Sequence, residues 1–219
     1  MRTVIFDLDG TLADTSGDLL AAANTCFRDL GLGDLLTPAD SGTALKGGRA
    51  MLRLGFSRVD GYGEDEVDRQ YQPLLDAYAQ DIDSHTVLYP GAMDAVRALK
   101  DDGYVVAICT NKPEGLAETL MNSLGVRDEF AALLGADTLP VRKPDPEHLF
   151  ETVRRAGGHI DKSLLVGDTL TDRKTSANAG RPSILVTFGP GDDDVRDLNP
   201  EGLIGHFDEL HAEVRRLIG

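Results

Sequence analysis

The sequence predicts an α/β fold: a three-layer core built on a parallel sheet, interrupted by an all-helical insertion. Three observations carry this expectation. An apolar strand, Val4-Ile5-Phe6, opens the chain and stops abruptly at Asp7-Leu8-Asp9-Gly10-Thr11. From Tyr89-Pro90-Gly91 onward, short apolar runs alternate with helical periods, the pattern of parallel strands joined by right-handed crossovers. Residues 16 to 85 between them carry helical spacing and no strand pattern. The expected organisation is an α/β core formed by 1–15 and 86–219, with a helical domain at 16–85.

Each element has a local reason. After the first strand, Leu20, Ala23, Phe27 and Leu30 recur at steps of three and four across 17–30, and Gly31 stops the helix. Val67, Tyr71, Leu74 and Tyr78 give 64–80 a second apolar face, with Pro73 expected to kink or interrupt it. Met93, Val96 and Leu99 mark a helix ending at Gly103; strand 104–109 comes next, then Thr110-Asn111-Lys112, and Pro113 opens a helix carrying Leu116, Leu120 and Leu124. Strands are expected near 132–135, 163–167 and 183–188, and a last helix buries Leu210, Val214 and Leu217. Gly189-Pro190-Gly191 with Asp192 to Asp194 reads as an exposed loop.

Composition narrows the function. A chain of 219 residues with 41% hydrophobic content can bury a sizeable interior. A net charge of −15 opposes nucleic acid and anionic membranes as partners, and no run approaches the roughly 18 apolar residues of a membrane span. Without a basic region and apolar stretch at its start, the chain is expected to be cytoplasmic, as a monomer or homodimer. Cys26 and Cys109 lie far apart in apolar segments and read as buried free thiols. His206 and His211 decorate a terminal helix and do not show zinc spacing.

Ligands of open parallel sheets bind beyond the strands' carboxyl ends. There the chain places Asp7 and Asp9, on the same side by the period of two, then Thr110 and Asn111, then Gly167 and Asp168 with Asp172 four residues on; Lys143-Pro144 precedes a helix. Gly10 permits a sharp turn, and Thr11 adds a hydroxyl for a phosphate oxygen. Crowded carboxylates raise one another's pKa unless a cation neutralises them, and an all-oxygen donor set suits magnesium. Taken singly, these residues have other readings. Thr110 and Asn111 equally cap the helix at Pro113, Lys143 equally serves as a solvated loop charge, and Asp168 with Asp172 equally forms an N-cap and first-turn acid.

In order, DLDGT, CTN, KP and GDTLTD resemble the four signatures of the haloacid dehalogenase superfamily. The resemblance spans the chain. An insertion directly after the first motif is similar to the helical cap of subfamily I. The Leu12-Ala13-Asp14-Thr15 continuation and the Tyr89-Pro90-Gly91 re-entry resemble phosphoglycolate-phosphatase-like members. It implies a Rossmann-like core and a magnesium-dependent phosphatase acting on a small phosphorylated metabolite, with phosphoglycolate as the leading substrate. On that resemblance Asp7 is the nucleophile and Asp9 the general acid and base; Thr11, Thr110, Asn111 and Lys143 bind phosphoryl oxygens. Lys143 also stabilises the developing charge, and Asp7, the Asp9 carbonyl and Asp168 hold the metal, with Asp172 a ligand through water or an orienting group. Gly47-Gly48-Arg49 resembles the substrate-touching cap loop, and Arg49 is the residue chosen to read a carboxylate; alternatively Arg49 and Arg53 form a solvated helical face. Arg173 and Ser176 depart from the family, which places an apolar residue and alanine there.

Rivals on the same scaffold are a sugar-phosphate phosphatase, a pyrophosphatase, a β-phosphoglucomutase-like enzyme, a phosphonatase using Lys46, and a dehalogenase. Asp9 argues against the dehalogenase, and Gly167-Asp168 against the mutase, which usually has Glu-Asp there. A catalytically silent binding module is the rival of another class, and intact Asp7, Asp9, Lys143 and Asp168 argue against it.

Overall fold

The computed structural model describes residues 1–190 and 194–219; the loop expected at 189–194 falls partly outside them. In chain order the strands are β1 (Thr3–Phe6), β2 (Ala13–Asp14), β3 (Val87–Leu88), β4 (Val105–Cys109), β5 (Leu133–Leu134), β6 (Ser163–Gly167), β7 (Ser183–Val186) and β8 (Gly202–Ile204). The helices are α1 (Ser16–Asp29), α2 (Ser41–Ala44), α3 (Gly48–Phe56), α4 (Glu64–Gln80), α5 (Ala92–Asp101), α6 (Glu114–Ser123), α7 (Pro146–Arg155), α8 (Leu170–Ala179) and α9 (Leu210–Ile218). Two compact units result. One comprises Met1–Ala13, Leu88–Gly189 and the carboxyl-terminal stretch to Gly219; the other is built on Asp14–Val87.

The first unit is the α/β core. Its six strands are ordered β5-β4-β1-β6-β7-β8 and all adjacent pairs are parallel. The sheet is buried on both faces, so its strands read as unbroken apolar runs. Ile5, Ala107, Cys109, Leu134 and Leu165 share one face, covered by Leu149 and Val153 of α7. These two residues stand four apart and therefore on one side of the helix, and each contributes about 1.5–3 kcal/mol by leaving water. Helices α5 and α9 bury Val96, Leu99, Leu210 and Val214, and pack against β4 and β6 respectively. Phe6 stands level with both Ile108 and Val166. The residues just beyond these three strands, among them Asp7, Thr110 and Asp168, therefore emerge at one level of the same sheet edge.

The second unit is helical. α4 packs against α1 and α3 through Val67, Leu74 and Tyr78, all buried. Of the expected kink or interruption, the interruption does not occur: α4 runs from Glu64 to Gln80 with Pro73 inside it. Proline removes one backbone N–H and crowds the carbonyl a turn earlier, but the apolar face on either side is continuous and packing outweighs the lost bond. At the start of α1, the buried Asp18 carboxylate accepts from His85 N–H (2.9 Å), Thr86 N–H (2.8 Å) and the Thr86 hydroxyl (2.7 Å), tying the two ends of this unit.

Two details of the core were not expected. Edge strand β8 is only three residues long, and its Leu203 is exposed, too short a pattern to read. Leu217 is half-buried at the end of the last helix. The family departures have distinct outcomes. Arg173 sends its guanidinium to Glu201 (3.1 Å) and to the Leu198 carbonyl (3.3 Å), so its half-buried stem replaces an apolar side chain. Both thiols are buried and, chiefly by burial, pushed up to about 11 for Cys26 and about 12 for Cys109. Among the described residues, the buried Ser176 hydroxyl has no hydrogen-bond partner. Ser176→Ala should therefore stabilise the protein by about 1 kcal/mol in urea unfolding, since an unpaired buried hydroxyl costs more than a methyl group. A stability loss of that size would mean the hydroxyl has a partner.

Candidate active site

The site is built where β1 ends. Asp7 donates its N–H to the Val166 carbonyl (2.9 Å), continuing the sheet pairing by one residue, while its Oδ1 accepts from Leu8 N–H (2.7 Å). The chain then turns at Gly10, whose φ of 79° is a left-handed conformation that glycine adopts without steric cost. Opposite, β6 ends at Gly167. A Cβ on Gly167 would lie 2.4 Å from the Asp172 side chain, so only glycine lets the α8 carboxylate come this close to the strand.

Three carboxylates and one ammonium meet here. Asp7, Asp168 and Asp172 offer oxygens that all lie within 4.8 Å of one another. Lys143 Nζ, 3% exposed as a residue, sits 2.9 Å from Asp7 Oδ2 and 2.7 Å from Asp172 Oδ1. Burial works against the lysine's charge, but Asp172 and Asp7 outweigh it and hold the pKa well above its ordinary value. The carboxylates go the other way. Burial first, then repulsion from Asp172 and Asp9, raises Asp7 to about 7 despite Lys143. Asp168 is raised well above the usual carboxylate range by burial, Asp172 and Asp7.

Asp172 is the most constrained of the three. Its second oxygen accepts from Thr169 N–H (3.1 Å) and the Thr169 hydroxyl (2.5 Å), closing a capping box at the start of α8. Helix capping and charge pairing are thus one arrangement here. Thr11 is fully buried and donates its hydroxyl to Asp168 Oδ1 (3.0 Å), so its single donor is used within the protein. The Thr110 hydroxyl accepts from Lys112 N–H (3.1 Å), and the Asn111 amide donates to the Lys143 carbonyl (3.0 Å), joining two loops of the site. Arg49 lies on α3 in the helical unit, its guanidinium paired with Asp68 and 4.4 Å from the centroid of Tyr71.

Sequence reasoning missed Lys112. Its buried Nζ lies 2.8 Å from Asp9 Oδ1, a second ammonium at this sheet edge. The signal was present, because Lys112 directly succeeds Thr110-Asn111 beyond a core strand. His148, fully buried with its ring on two backbone atoms, was missed as well.

The donor set fits a divalent cation. One ammonium, Lys143, stands against three carboxylates, and Asp7 and Asp168 are both raised, by burial first and then by repulsion from their neighbouring carboxylates. Hard oxygen donors of this kind hold magnesium-like ions. These shifts set the sign of the pH dependence. A carboxylate raised in the folded state stabilises it fully below the ordinary value of 3.8, and that contribution is lost as pH rises through about 7. A cation that binds the ionised carboxylates reverses the loss. Added magnesium should therefore raise the unfolding temperature more at about pH 7.5 than at about pH 5, relative to the protein in EDTA. Equal stabilisation at both pH values would contradict a carboxylate cation site.

Similarity to known proteins agrees with this geometry. The family model of haloacid dehalogenase-like hydrolases matches residues 1–180. The chain is 40% identical over 220 residues to the phosphoglycolate phosphatase of Mesorhizobium japonicum (strain LMG 29417 / CECT 9101 / MAFF 303099), covering 98% of this chain and 96% of that protein. It is 36% identical over 207 residues to the enzyme of the same name from Agrobacterium fabrum (strain C58 / ATCC 33970), covering 94% and 89%. The crystal structure of a predicted phosphoglycolate phosphatase from Haemophilus somnus 129pt superposes with a TM-score of 0.85 over 97% of each chain at 23% identity, a likeness of fold. A six-stranded parallel sheet, an acidic strand end with its buried lysine, and a family match over most of the length agree: this chain belongs to the haloacid dehalogenase-like hydrolases.

Proposed function

We propose that the protein is a magnesium-dependent phosphatase that hydrolyses a small phosphorylated metabolite, with 2-phosphoglycolate as its substrate, through a phosphorylated Asp7. The observation that carries the proposal is the convergence of Asp7, Asp168 and Asp172 within 4.8 Å around the Lys143 ammonium. The substrate name comes from the relatives, which bear it at up to 40% identity over nearly the whole chain. No helix among the described residues is long and apolar enough to cross a membrane, and we assign the enzyme to the cytoplasm as a monomer or homodimer.

Asp7 is the nucleophile on this reading, which is supported by the bond of its backbone to β6 and by Leu8 N–H and Lys143, each bonded to one of its two carboxylate oxygens. Attack forms the bond from carboxylate oxygen to phosphorus as the bond to the leaving oxygen breaks, and Asp9 supplies the proton the leaving group needs. Asp9 then takes a proton from the water that hydrolyses the acyl phosphate. Lys112 holds the Asp9 carboxylate in place between the two steps. Lys143, Thr110 and the Asn111 backbone bind phosphoryl oxygens; the lysine's fixed charge acts where negative charge is redistributed. Asp7, the Asp9 carbonyl and Asp168 would hold magnesium, with Asp172 orienting Lys143. When bound, the ion neutralises phosphate charge and keeps Asp7 ionised. Uncatalysed phosphate-monoester hydrolysis is slow enough that enzymes accelerate it by up to ~10²¹, which explains why so many charged groups are combined.

A panel of phosphorylated metabolites tests the proposal. Phosphate release should be highest in kcat/KM for 2-phosphoglycolate, should vanish in EDTA, and should fall by at least ~10³-fold in Asp7→Asn. Failure to hydrolyse any phosphomonoester with magnesium present would leave the binding-module reading, and preference for pyrophosphate or a sugar phosphate would replace the substrate. Arg49 is assigned to the substrate carboxylate on the resemblance of Gly47-Gly48-Arg49 to the substrate-touching cap loop and because a guanidinium bonds a carboxylate bidentately; its exposed partner Asp68 would have to give way. Arg49→Ala should raise KM for 2-phosphoglycolate about tenfold while leaving KM for an aryl phosphate unchanged. Unchanged KM for both would remove Arg49 from recognition.

A further inference from the structure

His148 lies in the first turns of α7 with no accessible surface, and both ring nitrogens are used. Nδ1 accepts from Lys143 N–H (3.3 Å), and Nε2 faces the Gly135 carbonyl at 3.0 Å. An amide only donates and a carbonyl only accepts, so the ring is neutral and carries its proton on Nε2. Burial, then the Lys143 charge, pushes its pKa down to about 4, in keeping with that tautomer.

One partner stands on the segment that carries Lys143, and the other, Gly135, packs against the segment that carries Lys112. Gly135 touches the Thr110–Pro113 loop directly: a Cβ there would lie 2.7 Å from the Lys112 carbonyl and 2.3 Å from Glu114 N. Ala136 N–H donates to that same Lys112 carbonyl (2.9 Å), and the Asn111 amide donates to the Lys143 carbonyl (3.0 Å). Together with the covalent steps Gly135-Ala136 and Asn111-Lys112, these bonds form a closed circuit from Lys143 through His148, Gly135, Ala136, Lys112 and Asn111 back to Lys143. Within it, the His148 ring bridges the Lys143 backbone and the Gly135 carbonyl, which also accepts from Thr138 N–H (3.2 Å).

We propose that His148 is a positioning residue for phosphoryl transfer: its ring fixes the backbones from which Lys143 reaches Asp7 and Lys112 reaches Asp9. This rests on the phosphatase reading. Lysine side chains are flexible, so holding both ammonium groups within 3 Å of their carboxylates depends on where the backbones stand. A displacement of about 1 Å at a reacting centre costs as much as ~10²-fold in rate.

The test measures kcat and KM for p-nitrophenyl phosphate with magnesium, together with unfolding temperature, for wild type, His148→Leu, His148→Asn and His148→Gln. Leucine fills the volume but bonds neither partner, and should lower kcat about 10- to 100-fold with KM changed less than about threefold. Asparagine places an acceptor near the Nδ1 position and should recover most of kcat, whereas glutamine, which reaches toward Gly135 only, should recover less. A merely structural histidine would lower the unfolding temperature in all three variants but leave kcat within about twofold of wild type below it, which would overturn the inference. Should the leucine variant fail to fold, equal kcat in the asparagine and glutamine variants would overturn it on its own. Absence of turnover by the wild type would remove the phosphatase reading and this inference with it; wild-type turnover with indifferent variants would remove only the inference.

Discussion

A buried ammonium between two buried carboxylates is the constraint on which the rest of the core depends. Lys143 Nζ within 3 Å of both Asp7 and Asp172 is tolerable in a desolvated place only because its neighbours are anionic. Removing one partner of such a group typically costs about 3–5 kcal/mol, so the three side chains hold one another in place. Three contacts at this sheet edge serve that arrangement. The Thr169 cap fixes Asp172, the sheet bond to Val166 fixes Asp7, and the His148 ring bonds the Lys143 backbone.

The charge balance also explains the chemistry. Burial first, and then the crowding of three carboxylates around one ammonium, raises Asp7 to about 7 and raises Asp168 as well. On the proposed mechanism Asp7 attacks in its ionised form, so the cluster then needs a further positive charge. That requirement is local. The chain as a whole carries −15, and a substrate anion approaching it must find its compensating charge within this one pocket.

Much of this was legible beforehand because parallel sheets leave a plain record. Buried strands are apolar throughout, and the polar residues at their carboxyl ends mark where a ligand can sit; β4, β6 and β7 fell close to where the apolar runs placed them. The features that escaped the sequence depend on three-dimensional neighbours. Continuity of α4 through Pro73 is decided by packing against α1 and α3, which no local propensity contains. The three-residue β8, one side chain exposed, offers too little pattern to recognise. Lys112 and His148 act through Asp9, Lys143 and Gly135, partners from 5 to 103 residues away. Thr11 illustrates the opposite error: its position was legible, but whether its hydroxyl faces a ligand or Asp168 is a matter of geometry.

Whether Asp7 is the residue that attacks phosphorus is decided by chemical trapping of the intermediate. Enzyme mixed with substrate and magnesium is quenched in acid during turnover and treated with borohydride, which reduces an acyl phosphate to the alcohol. A phosphorylated Asp7 gives homoserine at position 7 and nowhere else, seen by mass spectrometry of the peptide spanning β1. Homoserine at position 9 instead, or steady turnover with no reduced residue under conditions that trap a known aspartyl phosphate, would contradict it.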